Sequence, residues 1–162
     1  MSTEDFMEAD DDLKQEVLLL VPQQEPFRFI DEIVSLDDEQ IVGAYRFREG
    51  EYFYRGHFPG NPITPGVILI EAMAQTGVVA FGIYLLSRQK NTRPSQMNMP
   101  LSLFSLADGV EFKQIVSPGE RVIIKGKKIY FRRNIIRASV SMERGNGEII
   151  CFGELSGVGV DQ

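Results

Sequence analysis

Residues 67–86 read VILIEAMAQTGVVAFGIYLL, a 20-residue stretch in which Glu71 is the only charge. A stretch of that length matches one membrane span, and it equally suits one long helix buried in a soluble core. Glu71 and Gln75 lie inside it, no second span with basic flanks follows, and the rest of the chain reads as sheet, so the buried helix is the expectation. Thr64 is placed to cap that helix and Pro65 to occupy its first position, where a missing N–H costs nothing. The pattern predicts a helix from Pro65 to about Arg88. Apolar on all sides, it needs a sheet curved around it and a partner chain against its remaining face.

The flanking sequence supplies the sheet. Ile41 to Phe47, Val122 to Phe131, Ile135 to Met142 and Ile149 to Val158 are rich in branched and aromatic residues, and Ser117-Pro118-Gly119-Glu120 and Gly145-Asn146-Gly147 suit tight turns between them. The predicted class is α+β: a curved antiparallel sheet wrapped around one long central helix. With 162 residues, 43% of them hydrophobic, one domain has enough material for a core and two do not. Residues 1–16 are expected to be an acidic flexible tail, disordered or loosely helical, and residues 17–162 the single folded domain.

That tail holds seven acids against Lys14 and accounts for the whole net charge of −6. In the balanced remainder, Lys113, Arg121, Lys125, Lys127, Lys128, Arg132, Arg133 and Arg137 face only Glu120 between residues 113 and 137. The plainer reading of this cluster is a solvated outer face, and nothing in it resembles a nucleic-acid-binding motif. One cysteine, Cys151, and one histidine, His57, exclude an intramolecular disulfide and any spacing typical of a zinc site, so no metal is expected. Cys151 lies between Ile150 and Phe152 and reads as a small buried strand residue. The N-terminus lacks a basic start followed by an apolar run, which predicts a cytoplasmic protein.

The lone histidine sits in HFPGNPITPG, His57 to Gly66, a turn stiffened by proline immediately before the helix. Taken singly, His57 is a satisfied loop residue and Glu71 a carboxylate reaching solvent. Together they have complementary chemistry. A carboxyl in the early turns of an apolar helix is partly dehydrated, which raises its pKa and keeps it available as a proton donor. An imidazole suits proton abstraction near neutrality. Gly66, at the helix start, offers an N–H with no intrahelical acceptor and no side chain to block a carbonyl. Gln75, one turn after Glu71, lies on the same face and can orient the acid.

The stretch HFPGNPITPGVILIEAMAQ, His57 to Gln75, resembles the 3-hydroxyacyl-(acyl carrier protein) dehydratases of the hotdog fold, whose signature has the form HFPGxPxxPGVLxxEAxAQ. Weaker likeness extends to PQQEPFRFID, Pro22 to Asp31, and to EFKQIVSPGE, Glu111 to Glu120, and covers roughly Val17 to Val158. The resemblance implies that His57 removes the proton alpha to the thioester carbonyl, Glu71 protonates the departing beta-hydroxyl and the Gly66 amide binds the thioester oxygen. It places Val67 and Phe58 against the substrate and the Ile63 carbonyl on the second imidazole nitrogen. It further implies a homodimer whose sites pair the histidine of one chain with the glutamate of the other, a trimer of dimers being the larger assembly open to it. No cofactor is implied, because the acyl group arrives on the phosphopantetheine arm of acyl carrier protein, for which Arg132, Arg133 and Arg137 form the candidate docking face.

Gln23-Gln24 replaces the family's His-Arg, and Glu32 replaces a basic residue. Both departures point to a specialised acyl chain. A glutamate rather than an aspartate acid favours dehydration without isomerisation. A thioesterase using Glu71 to activate water, and a non-catalytic acyl-binding protein, are the alternatives.

Overall fold

The computed structural model describes residues 7–161 and places them around one six-stranded sheet. The strands are β1 (Glu32–Leu36), β2 (Gln40–Arg46), β3 (Leu101–Phe112), β4 (Arg121–Arg132), β5 (Ile135–Glu143) and β6 (Ile149–Val160). All pairings are antiparallel, in the order β1-β2-β4-β5-β6-β3. The central helix runs Gly66–Gln89 and is largely buried. It lies against β2, β4, β5 and β6. This is the hotdog arrangement.

Alternation puts the apolar half of each inner strand on the helix. Val122 and Ile124 of β4 and Ile136, Ala138, Val140 and Met142 of β5 are buried, while Lys125, Lys127 and Ser139 face outward. Helix and sheet approach closely because glycines meet at the contact. A Cβ on Gly77 would stand 2.6 Å from Val140 Cγ2, and one on Gly126 would stand 3.0 Å from the Gly77 Cα. Either would push the helix off the sheet.

The helix is not uniform. It consists of α2 (Gly66–Ala74), a π turn (Gln75–Ala80) and α3 (Phe81–Gln89), and the Phe81 N–H reaches back five residues to the Thr76 carbonyl. Its start also differs from expectation. Pro65 occupies the cap position with no side-chain cap bond. Thr64 is instead buried, its hydroxyl 2.6 Å from the Tyr54 hydroxyl, so its polar group is spent on tying two loops together.

The expected acidic tail is structured from Ala9 onward, and residues 1–6 lie outside the described residues. Helix α1 (Asp11–Leu20) is capped by Asp10, which accepts from the Leu13 N–H, and Asp11 and Asp12 sit in its first turn, where negative charge is stabilised. Val17 and Leu18 are buried, Glu16 pairs with Arg93, and Arg28 donates to the carbonyls of Leu18 and Val21 at the other end. Asp10, Asp11, Asp12 and Glu16 therefore cap or belong to a docked helix. Ala9, Leu13, Val17 and Val21, spaced by four, are the apolar stripe that the charge count obscures.

Two strands carried no sequence expectation, β1 and β3. Strand β3 is exposed along nearly its whole length, pairs only with β6, and leaves Leu101, Leu103, Phe104, Leu106 and Phe112 in solvent.

Candidate active site

His57 follows a short 3₁₀ turn, Tyr52–Arg55, and its N–H donates to the Phe53 carbonyl. Its ring stacks on Phe58, centroids 4.0 Å apart. Nδ1 lies 2.8 Å from the Ile63 carbonyl oxygen. A carbonyl can only accept, so in the neutral ring Nδ1 carries the hydrogen and Nε2 keeps its lone pair. The loop closes on itself as well: the Ile63 N–H donates to the His57 carbonyl at 2.9 Å. The stiff sequence therefore produces an imidazole with one fixed tautomer.

Glu71 lies in the second turn of α2, half-buried, and dehydration pushes its carboxyl above the ordinary carboxylate range while the Gln75 hydrogen bond opposes that rise. Gln75 is fully buried and all its polar reach is used. Its Oε1 accepts from the Phe29 N–H at 2.7 Å, and its Nε2 donates to the Phe27 carbonyl and to Glu71 Oε1, both at 2.9 Å. Because the Phe29 bond settles which end of the amide is which, Glu71 Oε1 must be an acceptor. The acid proton then resides on Oε2. The sequence pairs Gln75 with Glu71 by helical spacing, but the anchor at Phe27 and Phe29 comes from distant chain and has no local signature.

Gly66 is the first helical residue, and its N–H and that of Val67 have no intrahelical acceptor. A Cβ on Gly66 would stand 3.1 Å from the Phe112 ring, a tight contact, so β3 closes over this end of the helix. Val67, the next residue, and Phe58, stacked on His57, are both exposed, 72% and 49%. Around the site, Tyr54 and Thr64 join the turn before His57 to the segment before Gly66, and the Thr64 N–H donates to the Val116 carbonyl. Neither role was visible in the sequence, where Thr64 looked like a cap.

Within the protomer no hydrogen bond joins His57 to Glu71 among the described residues. The basic residues are dispersed rather than assembled. Arg137 faces Glu154 and Asp108 and is ion-paired to both, so its charge is neutralised locally. Lys125 pairs with Glu143 and Lys128 with Glu39. Arg132 and Arg133 sit at the β4–β5 hairpin, Arg132 over the Tyr130 ring, and among the described residues neither has an ion pair. Cys151 is buried beside Met73, and burial pushes its thiol up to about 12, which suits packing rather than attack.

Comparison with known proteins gives the family. Residues 21–153 match the FabA-like domain. The 3-hydroxyacyl-[acyl-carrier-protein] dehydratase FabZ of Roseiflexus sp. (strain RS-1) is 36% identical over 142 residues, 87% of this chain and 92% of that protein. The enzyme of that name from Proteus mirabilis is 34% identical over 143 residues, 87% and 89%. Among solved structures, the dehydratase heterocomplex ApeI:P from Xenorhabdus doucetiae superposes with a TM-score of 0.71 at 12% identity, over 87% of this chain and 88% of that one. A hypothetical thioesterase with coenzyme A from Streptococcus pneumoniae gives 0.54 at 13% identity, over 81% and 86%. The last two share the fold alone, whereas the sequence relatives span nearly the whole chain, and on that ground the chain belongs to the FabA-like family of 3-hydroxyacyl-[acyl-carrier-protein] dehydratases.

Proposed function

We propose that the protein dehydrates a (3R)-hydroxyacyl thioester carried on acyl carrier protein to the trans-2-enoyl thioester in fatty acid or related acyl-chain biosynthesis, without isomerising the product. The observation that carries this reading is the opposed preparation of two groups: His57 held with Nε2 free to accept a proton, and Glu71 held with Oε2 as the donor oxygen. His57 Nε2 takes the proton from the alpha carbon, and the electron pair of that C–H bond forms the new double bond. The C–O bond to the beta-hydroxyl breaks as Glu71 Oε2 delivers a proton, and water leaves. The Gly66 N–H binds the thioester oxygen while charge builds there. Proton transfer from imidazolium back to carboxylate, through solvent, resets the pair. Every proton is assigned to a side chain, so the reaction as written calls on no metal or redox cofactor.

The site is completed by a second protomer. Strand β3 offers twelve residues of unpaired edge with exposed leucine and phenylalanine, an arrangement that demands a cover, and a second β3 supplies one. His57 of one protomer then serves the other's Glu71. Arg132 and Arg133 are retained as the carrier-docking residues, Arg137 being occupied. The central helix, apolar but enclosed by sheet, fits a cytoplasmic enzyme.

Mass spectrometry of the products formed from a 3-hydroxyacyl carrier protein tests the assignment. An enoyl thioester formed by wild type and not by folded His57→Ala is expected. Free acid and free carrier thiol would establish hydrolysis instead.

A further inference from the structure

The imidazole of His57 sits in an exposed loop with buried ends. Arg55 to Pro62 are in solvent apart from half-buried His57, so core packing does not hold the loop itself in place. Its ends are Tyr54 and Thr64, both buried. Their hydroxyls stand 2.6 Å apart, and among the described residues each is the other's only hydrogen-bond partner. Burial pushes the Tyr54 hydroxyl above its ordinary value, so it stays protonated and able to donate. Among the described residues this is also the only hydrogen bond between two side chains that spans the loop.

The bond acts on the group that fixes the ring. The Ile63 carbonyl faces His57 Nδ1 at 2.8 Å, and the N–H of the same peptide unit, that of Thr64, donates to the Val116 carbonyl at 3.0 Å. Because a peptide unit is planar, whatever turns one of these groups turns the other. Thr64 Oγ1 ties that unit to the opposite end of the loop, where Tyr54 directly follows Phe53, whose carbonyl accepts the His57 N–H at 3.1 Å. Loop closure and imidazole tautomer thus meet at one hydroxyl pair. Stability alone does not call for hydroxyls here, since exchanging both partners of a buried hydrogen bond for apolar groups of the same shape is nearly neutral. What an apolar pair lacks is direction.

We propose that Tyr54 and Thr64 are positioning residues of the dehydration, a hydroxyl clamp that closes the His57 loop and holds the Ile63 carbonyl where it keeps the hydrogen on Nδ1 and the lone pair on Nε2. The inference rests on the dehydratase reading and adds to it what aims the base. Neither hydroxyl touches the substrate; both act through Ile63 on the ring. Without the clamp the loop still forms, but the imidazole spends part of its time with the hydrogen on Nε2, where it cannot accept the alpha proton.

The test compares kcat, KM, melting temperature and imidazole nitrogen NMR spectra of wild type, Tyr54→Phe, Thr64→Ser and the double variant Tyr54→Phe with Thr64→Val. His57 is the only histidine in the chain, so the ring signals of protein made with isotope-labelled histidine belong to it alone. Tyr54→Phe leaves the Thr64 hydroxyl buried without a partner and should melt below wild type, whereas the double variant strands no hydroxyl and should melt close to it. Both should lose ~10-fold or more in kcat with KM within about twofold. At about pH 9, where an imidazole is neutral, both should show a mixture of tautomers in place of the single Nδ1–H form of wild type. Thr64→Ser keeps the hydroxyl and should keep kcat within about twofold. A double variant with wild-type kcat, or with a lowered kcat and an unchanged tautomer, would overturn the inference while leaving the dehydratase reading in place; it decides the matter should Tyr54→Phe fold poorly. A wild type that dehydrates no 3-hydroxyacyl thioester refutes that reading instead. The spectra then judge the clamp alone: a single tautomer in wild type and a mixture in the double variant support it, and the same spectrum in both overturns it.

Discussion

The two halves of the central helix are each nine residues long and differ in what holds them in place. In α2 the Glu71 carboxyl and, just beyond it, the buried amide of Gln75 are each held by a named partner, and the Gly66 N–H at the helix start is left bare. In α3 the only charged side chain is Arg88 in the last turn, ion-paired to Asp38, and the face toward the sheet borders empty space at Gly82. One half is organised by hydrogen bonds and the other by the absence of a side chain. The difference predicts two kinds of damage: substitutions around α2 should stop the chemistry on every substrate, and those around α3 should act on stability first.

The largest effect belongs to the first kind. His57→Ala and Glu71→Gln, each alone, should lower turnover ~10²- to 10⁴-fold at all chain lengths, the range for loss of a positioned acid or base. Mixing the two inactive chains sharpens the point. If each site takes its histidine and glutamate from different protomers, a mixed dimer has one intact site, and random exchange restores roughly a quarter of wild-type activity. No recovery after subunit exchange is confirmed by mass spectrometry would place both groups in one chain.

Gln75 tests whether aiming matters apart from chemistry. Gln75→Leu removes three hydrogen bonds and strands the Phe29 N–H and the Phe27 carbonyl, at a cost of about 1–3 kcal/mol for each group left buried. It also removes the donor that favours ionised Glu71, so the alkaline limb of the rate should move to higher pH as the acid holds its proton longer. A lower rate with an unmoved limb would make Gln75 structural only. Stability carries the same sign. The folded protein binds the Glu71 proton more tightly than the unfolded chain does, so this contribution is full below the ordinary value of 4.5 and is lost as pH rises through the raised folded value. Glu71→Gln should therefore gain on wild type in denaturant midpoint between pH 4 and pH 7.

The contrast between the halves also marks how far the sequence could be read. His57, Gly66, Glu71 and Gln75 lie within nineteen residues, and their chemistry is carried by residue identity and helical spacing, so α2 was legible. The helix itself and four of the strands follow from apolar content and alternation. Strand β3 was not, because LSLFSLADGVEF serves two exposed faces and shows no inward alternation. Thr64 was misassigned because a hydroxyl before Pro65 satisfies the capping pattern equally well when its partner is Tyr54, ten residues away. Helix α1 was hidden by its own charges. Gly82 looks in sequence like any glycine, and only the space before it distinguishes it from Gly77.

The smallest expected effect lies outside both halves, at the β4–β5 hairpin. Among the described residues Arg132 and Arg133 have no ion pair where Arg137, Lys125 and Lys128 do, so of the three arginines they are the two free to act at a distance on an acidic carrier protein. The hairpin also borders the small cavity beside Gly82, which Phe131 and Asn134 help to line. Attraction between exposed charges fades over a Debye length of ~10 Å at 0.1 M salt, so the benefit is confined to encounter and is removed by salt. Arg132→Glu with Arg133→Glu should lower kcat/KM for carrier-bound substrate by ~10-fold or less at low salt, with the gap to wild type closing as salt rises and kcat unchanged. The same acyl group on free pantetheine should react at the wild-type rate. Equal loss on both substrates would show that the hairpin supports the fold beside α3 rather than the carrier, and so would tie this surface to α3 by packing instead of by charge.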